Sequence, residues 1–205
     1  MSPITHFLVG WSALERALPA RRDKALVAFA GLAPDLDGLG IVIDFATRTL
    51  GMAETNYYQD FHRLYGHGLP AALLIAALVF ACAFQRQRAA ALAFVSVHLH
   101  FLCDLLGSRG NGPDDIWGIW YFAPFSTAHQ IAWNGQWPLV SWQNLLITAL
   151  LLGLVLRRAC VLGYSPLVLA SGRADHQLVA TLRQWRARLS GRGNDQSPGA
   201  DYRDR

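Results

Sequence analysis

The stretch L-P-A-A-L-L-I-A-A-L-V-F-A-C-A-F-Q-R-Q-R-A-A-A-L-A-F-V-S-V-H-L-H-F-L-C-D-L-L, residues 69–106, decides the fold class. Leu69 to Phe84 carries no charge, and Gln85-Arg86-Gln87-Arg88 interrupts it. Ala89 to Leu106 is then apolar except at Ser96, His98, His100 and Asp104. Two such runs around a short basic turn read as a helical hairpin. A bilayer core takes about 20 apolar residues of helix, somewhat fewer where flanking side chains reach the interface. Residues 138–156 make a third run, closed by Arg157 and Arg158. A soluble bundle with an unusually apolar core is the competing reading, because buried helices give runs of similar length. Against it, 53% of the 205 residues are hydrophobic and only 16% are charged, more apolar than an average soluble domain.

Upstream, Pro3 to Leu18 reads as a short helix with Thr5 as its cap, followed by a basic turn from Pro19 to Lys24. A second short helix, Ala25 to Ala33, stops at Pro34-Asp35, and helix resumes from Leu36 to Leu50. Residues 51–65 form a polar, aromatic connection. Downstream, Gly107 to Trp137 is rich in Gly, Pro and Trp and poor in helix. Loops this long are usually functional or disordered, and the aromatic content speaks for order. Trp117, Trp120, Tyr121 and Phe122 suit the lipid–water boundary, where amphipathic rings accumulate. With no internal repeat and no strand-like alternation, the class is all-α: a polytopic helical membrane protein.

Three further readings follow from composition. Cys82, Cys103 and Cys160 are widely spaced with no C-x-x-C, which excludes a thiolate zinc finger or a disulfide framework and leaves buried small hydrophobes. The start of the chain lacks the basic region and cleavage site of a removable signal. Residues 1–165 form the membrane-embedded domain, 166–190 a basic amphipathic helix against anionic lipid, and 191–205 a disordered tail. In the amphipathic segment Leu178, Leu182, Trp185 and Leu189 share a face amid arginines; packing on a partner protein is the alternative. Nucleic acid is not an expected partner, because the basic tail lacks interleaved aromatics.

The chemistry lies in the polar residues that break this apolar pattern. His100 and Asp104 are four apart and project from one helical face; His62 and His67 flank Gly66 in a turn; Asp35 and Asp37 follow Pro34; His6 stands alone. Imidazole and carboxylate are ligands that zinc, manganese and iron accept. Placing them beside apolar runs is costly unless something neutralises them. Asp35 and Asp37 could instead cap a helix. His98, two positions from His100, faces elsewhere and reads as a satisfied helix histidine, while His129 and His176 read as exposed. Arg63 offers a planar fork suited to phosphate or a headgroup anchor.

Charge gives an independent check. If the first helix, its return, the hairpin and the last span all cross or enter the bilayer, the clusters at Arg21-Arg22-Lys24, Arg86/Arg88 and Arg157-Arg158 share one side. By the positive-inside rule that side is the cytoplasm. The same threading gathers His6, Asp35, Asp37, His62, His67, His100 and Asp104 at the opposite, extracytoplasmic end of the helices.

In order, these residues stand in T-H-F-L-V-G (5–10), P-D-L-D (34–37), H-R-L-Y-G-H-G (62–68), H-F-L-C-D (100–104) and Y-F-A-P-F-S (121–126). The series resembles the YdjM-type family of membrane-bound, metal-dependent hydrolases over about residues 1–160. One departure stands out: where the family pattern continues H-R-x-x-x-H with Ser, this chain has Gly68. The helical His/Asp arrangement is also distantly similar to zinc-dependent phospholipases C and P1-type nucleases.

The resemblance implies an inner-membrane hydrolase holding one or two divalent ions, zinc first with manganese or iron as alternatives. The candidate metal ligands are His6, Asp35, His62, His67, His100 and Asp104. Asp37 is a second ligand or base, and Arg63 a cation facing substrate. A metal with an open position activates water at neutral pH, so the expected substrate is an ester or phosphoester, such as a lipid, at the membrane surface. A non-catalytic metal-binding or scaffolding membrane protein is the alternative.

Overall fold

The computed structural model describes residues 1–62 and 64–190. Arg63 and the expected disordered tail, 191–205, lie outside the described residues. The chain divides into two compact units, Met1–Leu152 and Gly153–Arg205.

In the first unit, α1 (Pro3–Leu14) and α2 (Arg21–Ala30) precede a 3-10 segment, Ala33–Leu39, and α3 (Gly40–Thr49). The short α4 (Tyr57–Phe61) leads into the hairpin α5 (Leu69–Cys82) and α6 (Arg86–Gly107). Helix α7 (Trp142–Leu162) begins in this unit and runs into the next. Among the described residues the regular elements are helical, save for a two-residue antiparallel ladder, β1 (Ile119–Trp120) with β2 (Gln130–Ile131), inside the long loop. Alternation over two residues is too short to register in a sequence.

Helix α6 is the axis, packed on α1, α2 and α5. Ala72, Ala83, Ala89 and Ala93 lie in the core with Val27, Val79, Val97 and Phe101. Small side chains let helices approach closely, the usual solution where lipid removes the hydrophobic drive between helices. Gly10 and Gly31 extend this economy of space. A Cβ at either would lie 2.7 or 2.8 Å from Ser96 Oγ, so α1 and α2 sit tight on α6. At the hairpin turn, the buried Asp23 carboxylate accepts the backbone N–H groups of Phe84 and Gln85 at 2.9 and 2.8 Å. It thereby satisfies donors at the start of α6 that no helical carbonyl can reach.

Span lengths refine the sequence reading. α6 and α7, with 22 and 21 residues, are long and apolar enough to cross a bilayer. The 14-residue α5 rises only about 21 Å, short of a ~30 Å hydrocarbon core. Arg21–Ala30 and Ala33–Thr49 pass the same test only together, bent by 51° at their break. The break comes earlier than expected, because α2 starts at Arg21 and Pro34 opens a 3-10 segment instead of ending an α-helix. Ser2, and not Thr5, caps α1: the Ser2 hydroxyl accepts from Thr5 N, while Thr5 is buried and bonded to Thr148. Cys103 is buried as expected, but Cys82, at the end of α5, is exposed.

The second unit holds the end of α7, a 3-10 turn (Pro166–Leu169) and α8 (Gly172–Leu189). Asp175 accepts from both Ser165 N and Ser165 Oγ, and Ser171 caps α8. On α8, Val179 is buried, whereas Trp185 and Leu189 are exposed.

Candidate metal centre

Two antiparallel helix pairs bring distant residues to one end of the bundle. His6 lies in the first turns of α1, Asp35 just beyond α2, His67 just before α5, and His100 and Asp104 in the last turns of α6. The one-helix pair comes first: His100 Nε2 is 3.1 Å from Asp104 Oδ2. His67 Nε2 joins them, 3.1 Å from His100 Nε2 and 3.4 Å from Asp104 Oδ2. Asp35 Oδ1 completes the group at 3.7 Å from His100 Nε2 and 3.9 Å from His67 Nε2. Ligand atoms ~2.0–2.2 Å from a tetrahedral zinc would lie about 3.3–3.6 Å apart. The spacings fall around that edge length.

Proton positions sharpen the geometry. His100 Nδ1 donates to the Gly31 carbonyl at 2.8 Å, which leaves its Nε2 a bare lone pair. That carbonyl is within reach because Gly31 packs so closely on α6. His67 Nδ1 donates to Asp37 Oδ2 at 3.2 Å, so its Nε2 also presents a lone pair when the ring is neutral. Two lone pairs at 3.1 Å repel unless a proton or a cation lies between them. Burial alone would lower the His67 pKa, but hydrogen bonds and charge from Asp104 and Asp37 raise it to about 9. A proton thus takes the position where a cation fits.

His6 adds a third imidazole. Its ring stacks on His100 at 3.8 Å, and its Nε2 lies 3.1 Å from Asp104 Oδ1. His6 Nδ1 and Asp35 Oδ2 are buried without a hydrogen bond. Such atoms cost about 1–3 kcal/mol each unless something pairs with them. His6, Asp35, His100 and Asp104 therefore form a group that could hold a metal ion, and the donor set suits a divalent one.

Asp37, His62 and His67 form a second such group, reached through the other side of the His67 ring. Asp37 Oδ1 is 2.7 Å from His62 Nδ1, and Oδ2 accepts Gly66 N at 2.8 Å. The turn between the histidines requires glycine, since a Cβ at Gly66 would lie 2.2 Å from the Pro34 carbonyl oxygen. Asp37 thus ties the H-R-L-Y-G-H-G turn to the P-D-L-D segment, and it stands behind His67 as seen from the Asp104 cluster.

The six expected ligands lie in these two adjoining groups, with His67 reaching both. His98 stands apart: its Nδ1 donates to the Phe94 carbonyl and its Nε2 accepts from the Tyr121 hydroxyl. His129 and His176 are exposed.

Several neighbours escaped the sequence reading. A cavity of about 230 Å³ opens beside the cluster, lined by Asp35, Tyr58, His62, Asp104, Ser108 and Trp117 among others. Ser108 donates to Asp104 Oδ1 at 2.7 Å, and the Met1 amino group touches both. Tyr58 stacks on His62, whose ring is also 5.0 Å from that of Trp117. The aromatic loop thus supplies Trp117 to the site wall and Tyr121 to His98. Asn144 holds this loop, bonding the Gly107 and Leu139 carbonyls at 2.8 Å and accepting Trp137 Nε1 at 2.7 Å. The order in an aromatic-rich loop was the available signal; its target was not.

A family model described as YdjM inner membrane protein matches residues 1–182. No curated protein and no solved structure shows a significant match to the chain.

Proposed function

The chain belongs to the YdjM inner membrane protein family, and we propose that it is a metal-dependent hydrolase acting on an ester or phosphoester at the membrane surface. The observation that carries this reading is the approach of the Nε2 atoms of His67 and His100 to 3.1 Å, flanked by Asp104 and Asp35. Asp35, His67, His100 and Asp104 would hold one divalent ion, zinc by donor set, with His6 against the other oxygen of Asp104, to which Ser108 also donates. When bound, such an ion supplies Lewis acidity towards water and towards a substrate oxygen.

The protein's own groups do the rest. Asp37 fixes the His67 ring through Nδ1, the arrangement that orients metal-binding histidines and raises their basicity. It also fixes His62, which lines the cavity and is placed to accept or deliver a proton there. Arg63, the next residue, is assigned to a phosphate-bearing substrate for its planar fork. The site faces away from the cytoplasm, because Arg21, Arg22, Lys24, Arg86 and Arg88 sit at the opposite helix ends.

A structural, non-catalytic ion is the second reading, favoured by the number of protein donors, since four close a tetrahedron. The cavity against Asp35 and Asp104 favours the open, catalytic form. Zinc-loaded protein, purified in detergent, is assayed on short ester and phosphoester panels. Turnover that falls at least tenfold in His62→Ala while metal content holds supports catalysis. Full metal content with no turnover on any panel supports the structural ion.

A further inference from the structure

The cavity beside the His/Asp cluster continues into a second, different space. A groove of about 570 Å³ runs between the α2 break and α5, within the 300–1,000 Å³ typical of small-ligand sites. Its walls include Leu26 and Phe29 from α2, Leu36 from the 3-10 segment, and Leu78 and Cys82 from α5. The 51° bend between α2 and the following segment creates the concavity. Phe29, Leu36 and Leu78 are each more than half exposed along it.

Groove and cavity meet, with Pro3, Asp35 and Leu39 lining both. Asp35 is the one ionisable carboxylate on the groove wall, and it stands at the junction. Beyond it, towards the cluster, the lining becomes His62, Asp104 and Ser108; in the other direction it is almost wholly apolar, as far as Cys82. From Ile75 to Cys82 the apolar arm follows two turns of α5, about 10 Å of rise. The continuous space is therefore divided as an amphiphile is divided, polar at one end and hydrocarbon at the other.

We infer that the groove holds the hydrocarbon chain of an amphiphilic substrate whose ester or phosphoester head lies in the cavity beside the His/Asp cluster. This rests on the hydrolase reading for the identity of the head, and it adds the substrate class: a lipid, oriented tail towards Cys82. The exposed leucines on α7 meet hydrocarbon too, but the polar cavity beside the cluster is lined by none of them. Burial in the groove fixes the reacting end relative to Asp35 and Asp104.

The test uses full-length, zinc-loaded protein in nanodiscs and an alkyl phosphonate with a diazirine near the end of its chain. The phosphonate P–C bond is not hydrolysed, so photocrosslinking reads binding whether or not the protein turns anything over. Crosslinks are expected at the far, apolar end of the groove, on residues 26–29 and 78–82, and excess unlabelled alkyl phosphonate should remove them while sparing lipid-type labelling of α7. Leu36→Trp and Leu78→Trp fill the groove from exposed positions. They should lose the crosslinks and keep the metal content, which doubles as a check on folding. Equal labelling of α5 and α7, unaffected by the competitor, would mean ordinary surrounding lipid and would overturn the inference. Crosslinks with no turnover on any substrate would sink the hydrolase reading alone; turnover of short, tail-less esters without groove crosslinks would sink this one.

Discussion

Helices α6 and α7 are nearly equal in length and both apolar enough to span a bilayer, yet they differ in almost everything else. Close to half of the α6 window is buried in the protein, against 11% of that of α7. Along α6, Ala89, Ala93, Ser96, Val97, His100 and Asp104 recur at helical spacing and are all buried. α7 instead turns Leu145, Leu146, Leu150 and Leu152 outward. Hydropathy alone treats the two as alike. A stripe of small and ionisable side chains marks the helix that organises the protein, and uniform leucine marks the one that meets lipid.

The largest break in this contrast should come from Asp104→Ala. Removing a buried carboxylate among three histidines should cost about 3–5 kcal/mol by uncovering its partners, and bound metal should be lost. Thermal unfolding with and without zinc measures both; a variant as stable as the parent would contradict the account. The second prediction concerns pH. Against the effect of burial, hydrogen bonds and charge from Asp104 and Asp37 push the His67 pKa up to about 9 in the metal-free protein, against ~6.5 unfolded. Its protonation therefore contributes stability that is fully present below about 6.5 and is lost as pH rises through 9. Because a bound ion displaces this proton, metal affinity should rise about tenfold per pH unit between ~7 and 9, then level off. Calorimetric titration at several pH values reads the slope, and a flat profile would remove His67 from the ligand set.

Two smaller effects sharpen the helix comparison. Ala93→Leu overpacks a fully buried position on α6 and should cost about 1–3 kcal/mol. Leu150→Ala, on the open face of α7, should stay within about 0.5 kcal/mol. Equal costs in a thermal-shift comparison would erase the distinction. At the metal site the smallest effect is that of His98→Ala, which loses the Phe94 and Tyr121 hydrogen bonds, worth about 1 kcal/mol each, yet leaves metal binding intact.

Much of this was legible in the chain. The i, i+4 pair of His100 and Asp104 is readable in the sequence and lies in a group that could hold a metal ion. Composition does not reveal close approach. Gly31 and Gly10 read as ordinary helix glycines, yet they let α2 and α1 settle against Ser96 so that the Gly31 carbonyl meets His100. Trp117 suits a membrane interface as a residue type, and composition does not show that Asn144 and Gln136 also fix its loop against His62. Helix ends were also hard to place: Ser2 and Thr5 are both plausible caps, and only the backbone path chooses between them.

The central claim is that His67, His100, Asp104 and Asp35 converge on one divalent ion. Elemental analysis of the detergent-purified protein, after equilibration with zinc and removal of excess, tests it most directly. The account predicts about one tightly held ion per chain, lost in His100→Ala and in Asp104→Ala and retained in His98→Ala. No retained metal in any preparation, or equal loss from His98→Ala and His100→Ala, would contradict it.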